Sequence, residues 1–372
     1  MTVKTWIGAI LVPVSGVMAH SAESPGKNMP IELITVLEHA EAIAGPHDIQ
    51  LQRNYAFIPG KGARGNVKHP GSFAVVNIAN PRAPEITGYL SGFTNAETVL
   101  PAGDICFLGG THFHAIDISE PSNPQIAATL TDTRINSING MVRRGDRLIA
   151  ASKGNHFTVF DISDPRNPTL VGAVKPWGRN FNSPHDIALL DEAHIVTVNI
   201  QAQSGRDRLQ VYRIAKDADS PLLSTKEWEL VGSINEDRLK GANRVRVKGE
   251  YAIVACNKGF AVGVVDLRNK QNPVMVAHFP LQFKSSGMAL AGETVIYALT
   301  SGKGRIKSGL AVYDISSPSA MSLLAQVHFE NVSPDHDLVY RDGYIYATDQ
   351  DENTFCIFEV VNPDLRRRME QH

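Results

Sequence analysis

One short segment recurs along this chain and restricts its architecture more than any bulk property does. Phe73 opens FAVVNIANPRAPEITGYL, Phe113 opens FHAIDISEPSNPQIAATL, Phe157 opens FTVFDISDPRNPTLVGAV, Val262 opens VGVVDLRNKQNPVMVAHF and Leu310 opens LAVYDISSPSAMSLLAQV. A degenerate copy starts at Leu209 and a last one at Phe355. Ahead of each copy lies an apolar hairpin-like unit, such as HDIQLQRNYAFIPG from His47 or HDLVYRDGYIYATD from His336. The interval is roughly 42 to 58 residues, and each unit holds four short β-rich runs divided by turn residues. Counting the units predicts an all-β fold, a seven-bladed β-propeller with four-stranded blades.

The Asp-Ile-Ser-x-Pro-x-x-Pro segment has a local task. Asp and Ser side chains bond the turn backbone, and the prolines fix φ and stop the third strand. Asp117, Asp161, Asp266 and Asp314 are therefore read as turn residues, not as a set of reactive carboxylates. The last unit stops after its third strand, at Asn362-Pro363. The run Ile31–Leu37, ahead of the first hairpin, is expected to supply the missing fourth strand and close the ring without an exposed edge. The domain boundaries read 1–22 signal peptide, 23–30 linker, 31–363 propeller and 364–372 C-terminal tail.

On these VVDIS-x-P-x-x-P units the chain resembles the LVIVD-repeat family, a group of exported β-propellers. The likeness spans nearly all of residues 31–363 and implies the architecture, with no agreed activity. The fourth and seventh units depart from it, with Arg213 and Glu359 in place of the third-strand Asp.

The N-terminus reads as a secretory signal. Lys4 precedes a stretch from Trp6 to Ala19 that is apolar apart from Ser15, and Ala19-His20-Ser21 offers small residues for cleavage. No other stretch is long and apolar enough to span a bilayer, so the expected location is the periplasm or outside the cell. Cys106, Cys256 and Cys356 lie far apart in strand-like runs and read as buried free thiols. A net charge of −2 argues against nucleic acid as a partner. There is no P-loop, dinucleotide fingerprint, HExxH or GxSxG, so no nucleotide cofactor is expected.

First strands line the channel of a propeller. Aligned on the hairpin turn, their opening positions read His47, Glu97, Asn139, His185, Asn243, Ser286 and His336, all polar. Two residues on they read Ile49, Val99, Met141, Ile187, Val245, Met288 and Leu338, all apolar and assigned to packing between blades. His47, Glu97, His185 and His336 form a candidate ligand set for a divalent transition metal (Fe, Cu, Mn or Zn). Asp48, Asp186 and Asp337 follow the three histidines as orienting carboxylates. The same imidazoles are the candidate catalytic groups, with acid–base work without metal as one option. A bland reading stands beside these, in which the histidines only tie loops together.

The loops expected to open on this face are basic: Lys61, Arg64, Lys68, His69, Lys153, Arg206, Arg208, Lys303, Arg305 and Lys307, with Arg134, Arg179 and Arg244 leading into first strands. Such a face steers anions inward. Arg179, Arg244, Asn139, Asn243, Lys68 and His69 are the candidate substrate-binding residues, with Trp177 placed to stack on a ring. The function expected is an exported enzyme acting on an anionic small molecule or saccharide, with lyase, isomerase or oxidoreductase chemistry open. The alternative is a non-catalytic ligand-binding or interaction module with a protein partner on the loop face.

Overall fold

The computed structural model describes residues 18–20, 29–62, 70–154, 156–175, 183–201, 206–281, 283–300, 308–330 and 332–371. Seven antiparallel sheets stand around one axis, each meandering outward from the channel. Blade one is typical, with strands Gln50–Gln52, Tyr55–Gly60, Gly71–Asn77 and Glu85–Phe93 in that order. The innermost strands turn tightly into the second ones through left-handed residues, among them Gly103, Gly145 and Gly249, at φ of 69°, 54° and 57°. A turn with φ above zero matches the right-handed twist of the strands it joins.

The ring closes as the sequence predicts. Ile31–Glu38 lies beside Thr354–Val360, in register from Ile31 opposite Val360 to Glu38 opposite Thr354. A three-residue strand, Met18–His20, lies on its outer side. The tail is ordered rather than loose: Pro363–Glu370 is a helix, started by Asn362, whose side chain accepts from Leu365 N, and it buries Leu365 and Met369.

The core is a set of seams between blades. The buried apolar side chains form seven clusters, each shared by two neighbouring blades. The apolar position of each innermost strand points into the preceding blade: Ile49 meets Tyr346 and Phe355 of blade seven, and Ile187 meets Ile149 and Phe157 of blade three. The third-strand aspartates bond their turns, as Asp117 accepts from Ser119 N and Asp161 from Ser163 N and Oγ. Each also pairs with an arginine, Arg166 on Asp117 and Arg147 on Asp161. The three cysteines are buried and unbridged. No helix among the described residues is long and apolar enough to cross a membrane.

Candidate functional site in the central channel

The opening positions of the innermost strands form an upper ring, and two of its three histidines follow one rule. His47 Nδ1 lies 2.7 Å from the carbonyl oxygen of Glu97, the equivalent residue of the next blade. His185 Nδ1 lies 2.8 Å from that of Asn243. His336 lies against the main chain of His47, short of full hydrogen-bond geometry at Nδ1, with the two rings 3.7 Å apart. Asn243 does the same with an amide, donating Nδ2 to Ser286 O at 3.0 Å. A carbonyl only accepts, so Nδ1 of His47 and His185 carries the proton and Nε2 the lone pair. Burial, joined by the nearby cations Lys61, Lys153 and Arg244, holds all three imidazoles well below their ordinary pKa. These rings are neutral clasps between blades at neutral pH.

Glu97 shares this ring and is 1% exposed. Lys61 and Lys153, from loops of blades one and three, each place Nζ 3.0 Å from its Oε2. Ser137 Oγ donates to Oε1 at 2.7 Å, and Asn95 donates there too. Burial pushes the Glu97 carboxyl up, but Lys153 and Lys61 outweigh it and the group sits below its ordinary value. The four residues named for a metal thus share one rim, with His47 Nε2 3.8 Å from Glu97 Oε2. Two ammonium groups contact the carboxylate of Glu97, the one anionic member of that set. Among the described residues no three His, Cys, Asp or Glu are grouped to hold a metal ion.

One residue further along each strand lies a lower ring: Asp48, Thr98, Gly140, Asp186, Arg244, Gly287 and Asp337. Its carboxylates also bridge blades. Asp48 Oδ2 accepts from Val99 N at 3.1 Å and Thr98 Oγ1 at 2.7 Å, and Asp186 Oδ2 from Val245 N at 2.9 Å and Arg246 Nη1 at 3.0 Å. Asp48 and Asp186 do not orient the histidines, as the sequence suggested; they take main-chain N–H groups of the next blade, while Asp337 accepts from Leu338 N of its own strand. Glycines make room for them, since a Cβ on Gly140 would lie 2.7 Å from Asp186 Oδ1. Against this ring lies a chamber of ≈ 350 Å³, lined among others by Asn139, Arg244, Arg246 and the three aspartates.

Asp337 is the strained member. Burial pushes its carboxyl up to about 7, with Asp48 adding to the rise and Arg244 and Arg246 opposing it. Between its ordinary 3.8 and about 7 the folded chain holds a proton that the unfolded chain has lost, so this group's stabilisation is lost as pH rises through that window. Asp337→Asn keeps the neutral form. Its melting temperature should exceed that of the parent by a margin that grows from pH 5 to 7 and then levels off, equivalent to about 2 kcal/mol. A pH-independent margin in paired thermal melts would show that Asp337 ionises like an ordinary carboxyl.

Of the candidate substrate-binding residues, Arg244, Asn139 and Asn243 lie in the two rings, 3%, 4% and 3% exposed. Arg179, Lys68 and His69 lie outside the described residues, as do Trp177, Arg64, Lys303, Arg305 and Lys307. The basic face is partly spent on local pairing: Lys61 and Lys153 on Glu97, Arg208 on Asp237 and Arg134 on Asp132. Arg246 and Gly140 are channel residues that the register argument passed over. A glycine one blade ahead of two of the His-Asp pairs (Gly140 and Gly287) was the available signal.

The LVIVD repeat family matches residues 109–132, 145–175, 241–279 and 306–328. Four segments of the chain thus carry the LVIVD repeat. The matched segments fall in blades two, three, five and six, the four that keep the third-strand aspartate. No curated protein matches the chain. Among solved structures the LVIVD-repeat chain is similar to the WD40 β-propeller domain of Doa1, with TM-score 0.64 and 10% identity over 88% of this chain and 97% of that one. It is similar to a functionally unknown protein from Desulfotomaculum acetoxidans DSM 771, with TM-score 0.57 and 14% identity over 77% and 88%. A chain of the mitotic checkpoint complex matches with TM-score 0.64 and 9% identity over 93% and 99%. At these identities the likeness is one of fold.

Proposed function

We propose that this protein is an exported ligand-binding propeller that takes a small anion into its central channel. The charge inventory of the channel carries the reading. Lys61, Lys153, Arg244 and Arg246 stand around Glu97, Asp48, Asp186 and Asp337, and the last of these titrates near 7. With the imidazoles neutral, the balance turns positive as Asp337 takes up its proton. An uncompensated charge in a desolvated channel is costly, and an entering anion relieves it. Export is supported by the apolar stretch from Trp6 and the small residues at Ala19 and Ser21. Cleavage there would remove the Met18–His20 strand, which the closure by Ile31–Glu38 does not need.

A second reading, acid–base turnover of the bound anion, has its own support. Neutral imidazoles whose Nδ1–H is fixed on a carbonyl present Nε2 as a proton acceptor, the form a general base takes. His47 and His185 hold this form; His336, the one of the three with partial solvent access, makes no such bond at Nδ1.

Thermal melts of the mature chain at pH 6 with monocarboxylates, dicarboxylates and sulfate test the proposal, alongside elemental analysis. A monocarboxylate at a hundred times its Kd should add about 2.7 kcal/mol, a shift of a few degrees. Arg246→Gln should weaken that ligand about tenfold. No response to any anion, or a stoichiometric metal lost in both His47→Ala and His336→Ala, would overturn the reading.

A further inference from the structure

Asn139 and Asn243 occupy the same register position in blades three and five, yet only one is used by the fold. Asn243 clasps the next blade through Nδ2. Asn139, 4% exposed, leaves both Nδ2 and Oδ1 without a hydrogen-bond partner, and it lines the ≈ 350 Å³ chamber. A buried amide with both ends unmet costs the full desolvation of each. Such groups are rare in folded proteins, and a bound group that meets them accounts for this one.

The unmet atoms specify that group. Nδ2 needs an acceptor and Oδ1 a donor, side by side. Arg244 stands in the same chamber with one long hydrogen bond, Nη1 to Asn243 O at 3.4 Å, and with Nε 3.5 Å from Asp337 Oδ2. Its guanidinium therefore has capacity for a further acceptor, best met by a carboxylate. Asp48 and Asp186 on the same wall are met by Val99 N and Thr98 Oγ1 and by Val245 N and Arg246 Nη1, and the apolar part of the wall is aliphatic, from Val99, Leu100, Met141, Val142, Ile187 and Leu189, with no aromatic ring among the described residues to stack a sugar. We infer that the chamber binds an aliphatic 2-hydroxycarboxylate, its carboxylate shared by Arg244 and Asn139 Nδ2, its hydroxyl donating to Asn139 Oδ1 and its chain against the aliphatic wall. This rests on the anion-binding reading above and narrows it to one ligand class.

The test is calorimetry on the full mature chain with 2-hydroxy-4-methylpentanoate, 4-methylpentanoate and 2-hydroxy-4-methylpentanamide. The hydroxy acid should bind at least tenfold more tightly than either analogue. Asn139→Ala and Asn139→Ser should each lose that preference while melting at or above the parent temperature, because the amide bonds nothing in the protein. Equal binding of the hydroxy acid and its deoxy analogue overturns the inference and leaves anion binding standing. So does a fall of several degrees in the melting temperature of both variants, which would make the amide part of the fold. Failure of all three ligands, with other monocarboxylates still stabilising the chain, sinks the ligand class alone; failure of every anion sinks both.

Discussion

A chain that begins at His39 should fail to form a folded monomer, whereas one that begins at Met29 should fold. The missing strand, Ile31–Glu38, serves two seams at once: Ile31 is fully buried between blades six and seven, and Leu37 between blades seven and one. Their burial alone contributes about 3–6 kcal/mol, at about 1.5–3 kcal/mol for each side chain. That is a large share of the roughly 5–15 kcal/mol that holds a domain folded. Two further bonds go with it, from Val361 N and Asn362 N to Pro30 O. The loss also bares Thr354–Val360 as an open edge of apolar residues, a template for pairing with another chain. Size-exclusion chromatography should find aggregates or strand-exchanged oligomers. Because Ile31 sits opposite Val360, a permutant that joins residue 360 to residue 31 through a short turn and ends at Glu38 should recover a monomer. It would be less stable by the contacts of the Pro363–Glu370 helix. A well-folded monomer starting at His39 would show that six complete blades and a three-stranded seventh suffice.

The closing strand was legible because it is local information in disguise. A last unit with three strands and an unassigned apolar run at the other end leave one arrangement that hides all edges. Turn aspartates were equally legible, since Asp117 and Ser119 meet across two residues of one loop. The channel was not. His47 and Glu97 are 50 residues apart, and what joins them is a ring nitrogen on a main-chain carbonyl, a bond that leaves no mark on residue choice at the accepting end. Lys61 and Lys153 reach Glu97 from two different loops, so loop lysines that read as part of an anion-steering face are half-buried partners of one carboxylate. Asn139 and Asn243 are identical in type and register, and only their surroundings divide them. Asn243 is followed by Arg244, and Asn139 by Gly140, which yields its space to Asp186.

Glu97→Gln should cost about 3–5 kcal/mol, the range for breaking a buried charged pair by removing one partner. Glutamine keeps the shape and can still accept from Ser137, but two ammonium groups that converge within 3.0 Å of Oε2 then face each other across a neutral amide. Lys61 and Lys153 are 18% and 23% exposed, so both can swing toward water, which places the cost at the lower end of that range. The carboxyl of Glu97 sits below its ordinary value of 4.5, so its stabilisation is present in full above that pH and is lost as pH falls through the folded value. The penalty should therefore be greatest at neutral pH and shrink in acid. Adding Lys153→Met to Glu97→Gln should recover part of the loss, while Lys153→Met alone should destabilise; denaturant titrations of the four proteins give the coupling directly. Additive effects in that cycle, or a Glu97→Gln penalty indifferent to pH, would mean that Glu97 is held by Ser137 and Asn95 and not by the lysines. Coupling of the size expected would instead make Glu97 the group that fixes two cations at the channel rim, the charge on which the proposed entry of an anion would depend.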